Sequence, residues 1–308
     1  MALTLVEAAK LESGNVLRQA IIEIYAGSSS ILANLPFENI AGNAMKYNRE
    51  GAYPGIGFRG VNEAYTASTG ILNPITESLV IAGGDLDVDK FILDTMGQNQ
   101  RAVHEAMKVR ALALAWTSKF IKGNTATDPR EFDGLQTRTT GNQVISAGST
   151  ANGEALSLAK LDQAIDQCLN PTHLIMNKTM ARRLAQAARL YTVGGYITFD
   201  LDDFGKRAMF YNGLPIVTVD LDNVGSAILG FTEASASGTD TSTSIYVVSM
   251  GNDGLLGLQN GGIDVRDMGE LQSSPVFRTR VEWYNGLAVF NGRAVVRLQH
   301  IADAAVVA

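Results

Sequence analysis

The chain is 308 residues long, 46% hydrophobic and 18% charged, with a formal net charge of −6 and one cysteine. Its length and apolar content supply one large core or two intertwined ones, which excludes a disordered chain. The acidic balance excludes a surface built mainly to grip nucleic-acid phosphates, and the lone Cys168 excludes an intrachain disulfide framework and suits a reducing compartment.

The opening MALTLVEAAKLESG lacks the basic start and continuous apolar stretch of a signal peptide, and the longest purely apolar run, ALALAW at 111–116, is far short of a membrane span. Over residues 4–25, Leu5, Ala9, Val16, Ala20, Ile21 and Ile24 form a helical stripe broken at Ser13-Gly14. Residues 26–84 then change character, with GSSS, Pro36, Pro54, Pro74, many glycines and short β-leaning pieces such as SLVIAG. So long a stretch without a convincing helix exceeds an ordinary loop inside a compact domain. Something outside the local chain must hold it.

Within that stretch, YPGIGFRG at 53–60 spaces Gly55, Gly57 and Gly60 as G-x-G-x-x-G. A phosphate-cradling fingerprint needs a buried strand leading in and a helix starting on the glycines. The upstream KYNREGAY is polar and aromatic, and the downstream VNEAYTASTG lacks a 3.6-residue apolar period. The residues favour a glycine-bearing hairpin or loop over a nucleotide site.

The strongest local signal is a spine helix predicted over 87–123, where Leu93, Met96, Val103, Met107, Leu114 and Ile121 share one face. Asp85, Asp87 and Asp89 near its start read as helix N-terminal charge. They do not read as a calcium loop, because Lys90 and Met96 stand where that loop needs glycine and glutamate. Lys119, Lys122 and Gly123 mark the end, and Gly97 marks a bend or break. Such a helix runs to roughly 50 Å.

DPREFDGLQTR at 128–138 is a turn-rich connection, and residues 139–153 read as a crossover between domains. A second unit follows, with helices at 154–168 and 178–190 and strands in THLIMN, YITFD, GLPIVTVD, AILGFT and SIYVVSM. EASASGTDTSTS at 233–244 reads as a mobile surface loop. Cys168, at a helix end, reads as a packed small hydrophobe. Arg182, Arg183 and Arg189 make a basic patch on one helix, a solvated face or one that meets phosphate. His104, His173 and His300 lie in separate elements without a metal-binding spacing, and no G-x-S-x-G elbow, Walker loop or C-x-x-C is present.

The last segment is β. In VFRTRVEWY, Phe277, Thr279, Val281 and Trp283 alternate with Arg278, Arg280, Glu282 and Tyr284, as in a half-buried strand. Asn285-Gly286 and Asn291-Gly292 are predicted turns around LAVF, and RAVVRLQHI closes the chain. These strands are expected to return beside the spine, giving that domain one discontinuous core.

This order of pieces, together with SKFIKGNTATDPREFDGLQT, HLIMNKTMARRL, FYNGLPIVTVD and RTRVEWYNGLAVFNGRAVVRL, resembles the major capsid protein of tailed bacteriophages, with its Hong Kong 97-type capsid fold. The resemblance covers nearly the whole chain. It implies an α+β fold with an N-terminal arm at 1–40, an E-loop at 41–80, a peripheral domain at 81–150 plus 265–308 carrying the spine, and an axial domain at 151–264. It implies no catalysis and no cofactor. YPGIGFRG would then sit at or near the E-loop tip, its glycines permitting a tight reversal. There Tyr53 and Phe58 would give apolar contact to a neighbouring subunit, and Arg49, Glu50, Arg59 and Glu63 charge pairing.

The implied partners are copies of the chain, arranged as hexamers and pentamers in an icosahedral shell around double-stranded DNA held without sequence specificity. A portal, a cement protein and a separate scaffolding protein belong to the same picture, the last because the chain opens directly on an arm-like segment. The place of action would be the virion, assembled in the host cytoplasm with no membrane. Some members crosslink through an E-loop lysine, but residues 47–65 contain none and Lys46 sits at the base, so no crosslink is expected. Two competitors stand beside this reading. One is an encapsulin, which an N-terminal helix over 4–25 would suit; the other is a nucleotide-using enzyme built on YPGIGFRG.

Overall fold

The computed structural model describes residues 3–4, 29–96, 99–189, 197–201 and 207–307. Gly97 and nearly all of the helical stripe expected over 4–25 lie outside them. After the short helix α1 (Ser30–Asn34), two large sheets and one hairpin organise the chain.

The first sheet has the order β1 (Leu3–Thr4), β2 (Pro36–Asn39), β13 (Leu255–Glu270), β14 (Val276–Val289) and β5 (Val80–Asp89). Its backbone is the antiparallel β13–β14 pair, with β5 antiparallel to β14 and β2 parallel to β13. The alternation in VFRTRVEWY holds: Thr279, Val281 and Trp283 are buried, while Arg278, Arg280, Glu282 and Tyr284 occupy the other face. Asn285-Gly286, however, is no turn. The strand runs straight through it to Val289, because the buried Asn285 side chain accepts a hydrogen bond from Trp116 Nε1 at 3.1 Å. Asn291-Gly292 does turn the chain, into β15 (Val295–Ile301).

The spine is shorter than its expected 87–123. It comprises α2 (Lys90–Met96) and α3 (Asn99–Lys122), the latter about 36 Å long. Asp85 and Asp87 belong to β5, where they stand opposite Arg280 and Arg278 in the sheet register, so they are cross-strand partners and not helix N-terminal charge. Only Asp89 serves the helix, its carboxylate accepting the Phe91 N–H at 2.8 Å.

At the far end Gly123 and Gly134 let two backbones cross. A Cβ on Gly134 would lie 2.6–2.7 Å from Lys119 O, Gly123 N and Ile121 O, and Gly134 N–H donates to Gly123 O at 2.9 Å. The GL of FDGL is thus the stop that closes the helix and starts α4 (Leu135–Arg138).

The second sheet runs β6 (Val144–Ser146), β15, β12 (Asp240–Val248), β7 (His173–Asn177), β10 (Leu214–Val219), β9 (Arg207–Tyr211) and β8 (Ile197–Leu201), with β11 (Glu233–Ala234) paired to β12. One face packs α5 (Leu158–Gln167) and α6 (Lys178–Ala187) over Leu174, Met176, Val247 and Leu298. The alternate residues Ile175, Tyr246, Val248 and Val295 point the other way, into a core shared with α1, the spine and the first sheet. Trp116 centres that core, with Phe37, Phe120, Phe132 and Trp283 ring centroids 5.2–6.0 Å away.

Several local expectations change here. AILGFT is no strand, although Ile228 and Leu229 are buried. The expected surface loop 233–244 is only partly one: residues 236–241 are exposed, but its flanks form the β11–β12 pairing, with Ser242, Thr243 and Ser244 fully buried and their hydroxyls hydrogen-bonded to backbone and to Glu233. The two helices end up at 158–167 and 178–187, shorter than predicted. Sheet membership also cuts across the expected segments, since β6 and β15 join the second sheet and β13 begins at Leu255. Strand partners more than a hundred residues apart decide that, and no local signal carries it.

Candidate functional site

The glycines of YPGIGFRG do not form a phosphate cradle. No helix follows them, and every residue from 50 to 74 is exposed. The Gly60 N–H is already taken by Glu63 Oε2 at 2.8 Å, an acceptor that would repel phosphate. The left-handed residue of the local turn is Asn62, with φ of 67°, and not one of the three glycines.

Nor do the other candidate groups converge. His104 is exposed on the spine. His173 Nδ1 lies 3.0 Å from Thr172 Oγ1, His300 Nδ1 lies 2.9 Å from Ser146 Oγ, and burial depresses both imidazole pKa values. Burial pushes the Cys168 thiol up to about 12, the state of an inert packed sulfur. Of the three arginines expected on one helix, Arg183 pairs with Asp303 at 2.9 Å and Arg189 lies beyond the helix end. Among the described residues no group of three or more His, Cys, Asp and Glu is placed to hold a metal ion, and no helix is long and apolar enough to cross a membrane.

What stands out is the hairpin β3 (Ala44–Ala52) and β4 (Ile71–Ser78), a two-stranded sheet of its own. Its lower half packs on the body. Met45 and Tyr47 lie on Leu256, Leu258 and Ala288, with Phe290 edge-on to Tyr47 at 4.8 Å. Tyr47 Oη donates to Val289 O at 3.0 Å, and burial together with Glu77 lifts its pKa above the ordinary tyrosine value. Arg138 grips Glu77 with both terminal nitrogens, one at 2.8 Å, where each side chain is only 14% exposed. Arg49 reaches the Val289 carbonyl, so it belongs to this root and not to the tip.

Beyond residue 50 the hairpin stands clear of its own chain. Tyr53, Ile56, Phe58, Val61 and Tyr65 are between 69% and 105% exposed. The tip is ordered internally: Tyr53 Oη donates to Glu50 Oε2 at 2.7 Å, Arg59 donates to Glu63 O at 3.2 Å, and the Arg59 guanidinium lies 5.1 Å from the Tyr65 ring centroid. Glu50, Arg59 and Glu63 thus find polar or aromatic partners inside the tip, without pairing with one another, and its apolar side chains are what it offers outward.

The segment before the hairpin behaves oppositely. Residues 29–40 of the expected arm pack on their own body, with Ile31, Leu32, Leu35 and Phe37 buried in the shared core. On the spine, Leu93 and Ile121 are buried and Leu114 partly so, whereas Val103 and Met107 are 54% and 58% exposed. The Met96 side chain lies outside the described residues. The packed face is carried by Val109, Ala113, Trp116 and Phe120, a stripe rotated from the predicted one. The root contacts escape sequence reading because they join residues up to 242 positions apart; their one local trace is the alternation Met45, Tyr47, Arg49.

No protein-family model and no curated protein matches the chain. Solved structures do. The SrpI encapsulin complex of Synechococcus elongatus PCC 7942 superposes with a TM-score of 0.64 at 19% identity, covering 98% of this chain and 97% of that one. The capsid of the native GTA particle gives 0.61 at 16% identity, covering 89% and 91%. A chain of Microbacterium phage Oxtober96 gives 0.60 at 13% identity, also covering 89% and 91%.

Proposed function

The chain has the Hong Kong 97-type capsid fold, and from that premise we propose that it is a structural shell subunit, not an enzyme, which assembles with copies of itself. The observation that carries this is the tip. A hairpin rooted on its own body holds Tyr53, Ile56, Phe58, Val61 and Tyr65 out in water. A monomer gains nothing from that arrangement. Burying each of these side chains on a neighbouring copy is worth roughly 1.5–3 kcal/mol before association costs.

Hexamers and pentamers closing an icosahedral shell around double-stranded DNA, with portal, scaffolding and cement proteins, make up the phage version of this role. No lysine-based crosslink from the tip is expected in it, since residues 47–65 hold no lysine. The encapsulin version keeps the shell and changes the contents, and the near-complete coverage of the SrpI chain favours giving it equal weight. Electron microscopy of the expressed protein tests the shared claim: closed shells, tubes or capsomers support it, and monomers under every condition refute it. Nucleic acid or protein inside purified particles then separates the two versions.

A further inference from the structure

The hairpin root touches two of the places where the chain passes from the first sheet side to the second. Arg138 ends α4, and the chain beyond it runs through Gly141–Gln143 into β6 of the second sheet. Val289 ends β14, and the turn beyond it leads into β15 of that same sheet. Tyr47 and Glu77 are fastened to these two crossings, through the Val289 carbonyl and the Arg138 guanidinium. Both contacts are directional, and both are partly buried.

Above the root, a cleft of about 610 Å³ opens between the stem at Asn48–Tyr53 and the body at Leu169, Asp253 and Asn291–Arg293. The stem is unpacked along this cleft, and the root contacts below it are what hold it to the body. Residues 47–60 can reach at most roughly 40 Å from the root if extended, and at that length a turn of about 10° moves the tip by roughly 7 Å. That exceeds the reach of any single side-chain contact.

We propose that Tyr47, Glu77 and Arg138 are positioning residues that couple the hairpin's angle to the joint between the two sheets. Given the shell-subunit reading, on which this rests, a shift of one sheet against the other is carried to the tip, and the tip's seat on the neighbouring copy fixes one particle diameter.

The test compares wild type with Tyr47→Phe, Arg138→Lys and Glu77→Gln, measuring particle diameters by electron cryomicroscopy and folding by thermal melts. Tyr47→Phe keeps the ring on Phe290 and removes only the hydroxyl. Arg138→Lys keeps the charge and loses the two-point grip. Wild type is expected to give one diameter class. Tyr47→Phe and Arg138→Lys are expected to melt within a few degrees of it and to assemble into two or more classes or tubes. A single unchanged diameter in both would overturn the coupling and leave the shell reading standing. Loss of folding in both mild variants would also overturn it, by marking the contacts as purely structural. Should Glu77→Gln unfold, the other two decide. Absence of particles from wild type would refute the shell reading and the coupling together.

Discussion

At the residue scale, backbone approach and charge pairing set what each position tolerates. Gly134→Ala places a methyl against three backbone atoms at 2.6–2.7 Å, so it should destabilise the chain by about 1–3 kcal/mol or more. Gly57→Ala meets nothing within 4 Å and should leave the melt unchanged. Paired melts of the two variants check this. The Asp85 and Asp87 carboxyls are held below their ordinary pKa by hydrogen bonds to Arg280 and Arg278, and Asp267 by Arg101. A depressed carboxyl binds protons more readily in the unfolded chain, so its contribution is complete above the unfolded value of about 3.9 and is lost as pH falls through the lower folded value. The melting temperature should therefore lose these contributions only below about pH 4, and Asp85→Asn should flatten that fall. The identities on β14 were legible here because period-2 alternation states them directly. Their aspartate partners were not, because three acids just ahead of an apolar period look the same whether they cap a helix or line a strand.

At the element scale, the hairpin and the spine show how far periodicity reaches. Composition marked residues 26–84 as a helix-poor stretch needing outside support, which overlooked α1 and the packing of residues 29–40; the narrower projecting segment at 41–80 came only from the family resemblance. The division into a packed stem and a bare tip was not legible, since it depends on Val289, Phe290 and Arg138 far along the chain. The spine's existence was legible and its packed face was not. Apolar residues surround more than one side of α3, so spacing alone cannot distinguish the stripe of Val103 and Met107 from that of Val109, Ala113 and Trp116. At the tip, Phe58→Asp should change monomer stability by less than about 0.5 kcal/mol, because the ring touches none of its own core. The same variant should abolish or sharply reduce assembly, as read by sedimentation beside a thermal melt.

At the scale of the whole molecule, one core serves both sheets. Ile175 and Tyr246 of the second sheet share it with Trp116 of the spine and Trp283 of the first. The chain should therefore unfold in one transition, and Ile175→Ala should lower stability by about 2–5 kcal/mol without splitting that transition. Calorimetry decides this, two separated peaks being the contrary result. The return of the C-terminal strands beside the spine was legible as a tendency; the placing of β6 and β15 together in the other sheet was not, because nothing in either stretch names its partner.

The most direct measurement of the central claim is amide hydrogen exchange over residues 53–70, the part of the tip beyond the β3–β4 pairing, compared between dissociated subunits and purified particles. Fast exchange in the subunit and strong protection in the particle are predicted. Equal exchange in both would show that the tip finds no neighbour and would contradict the account.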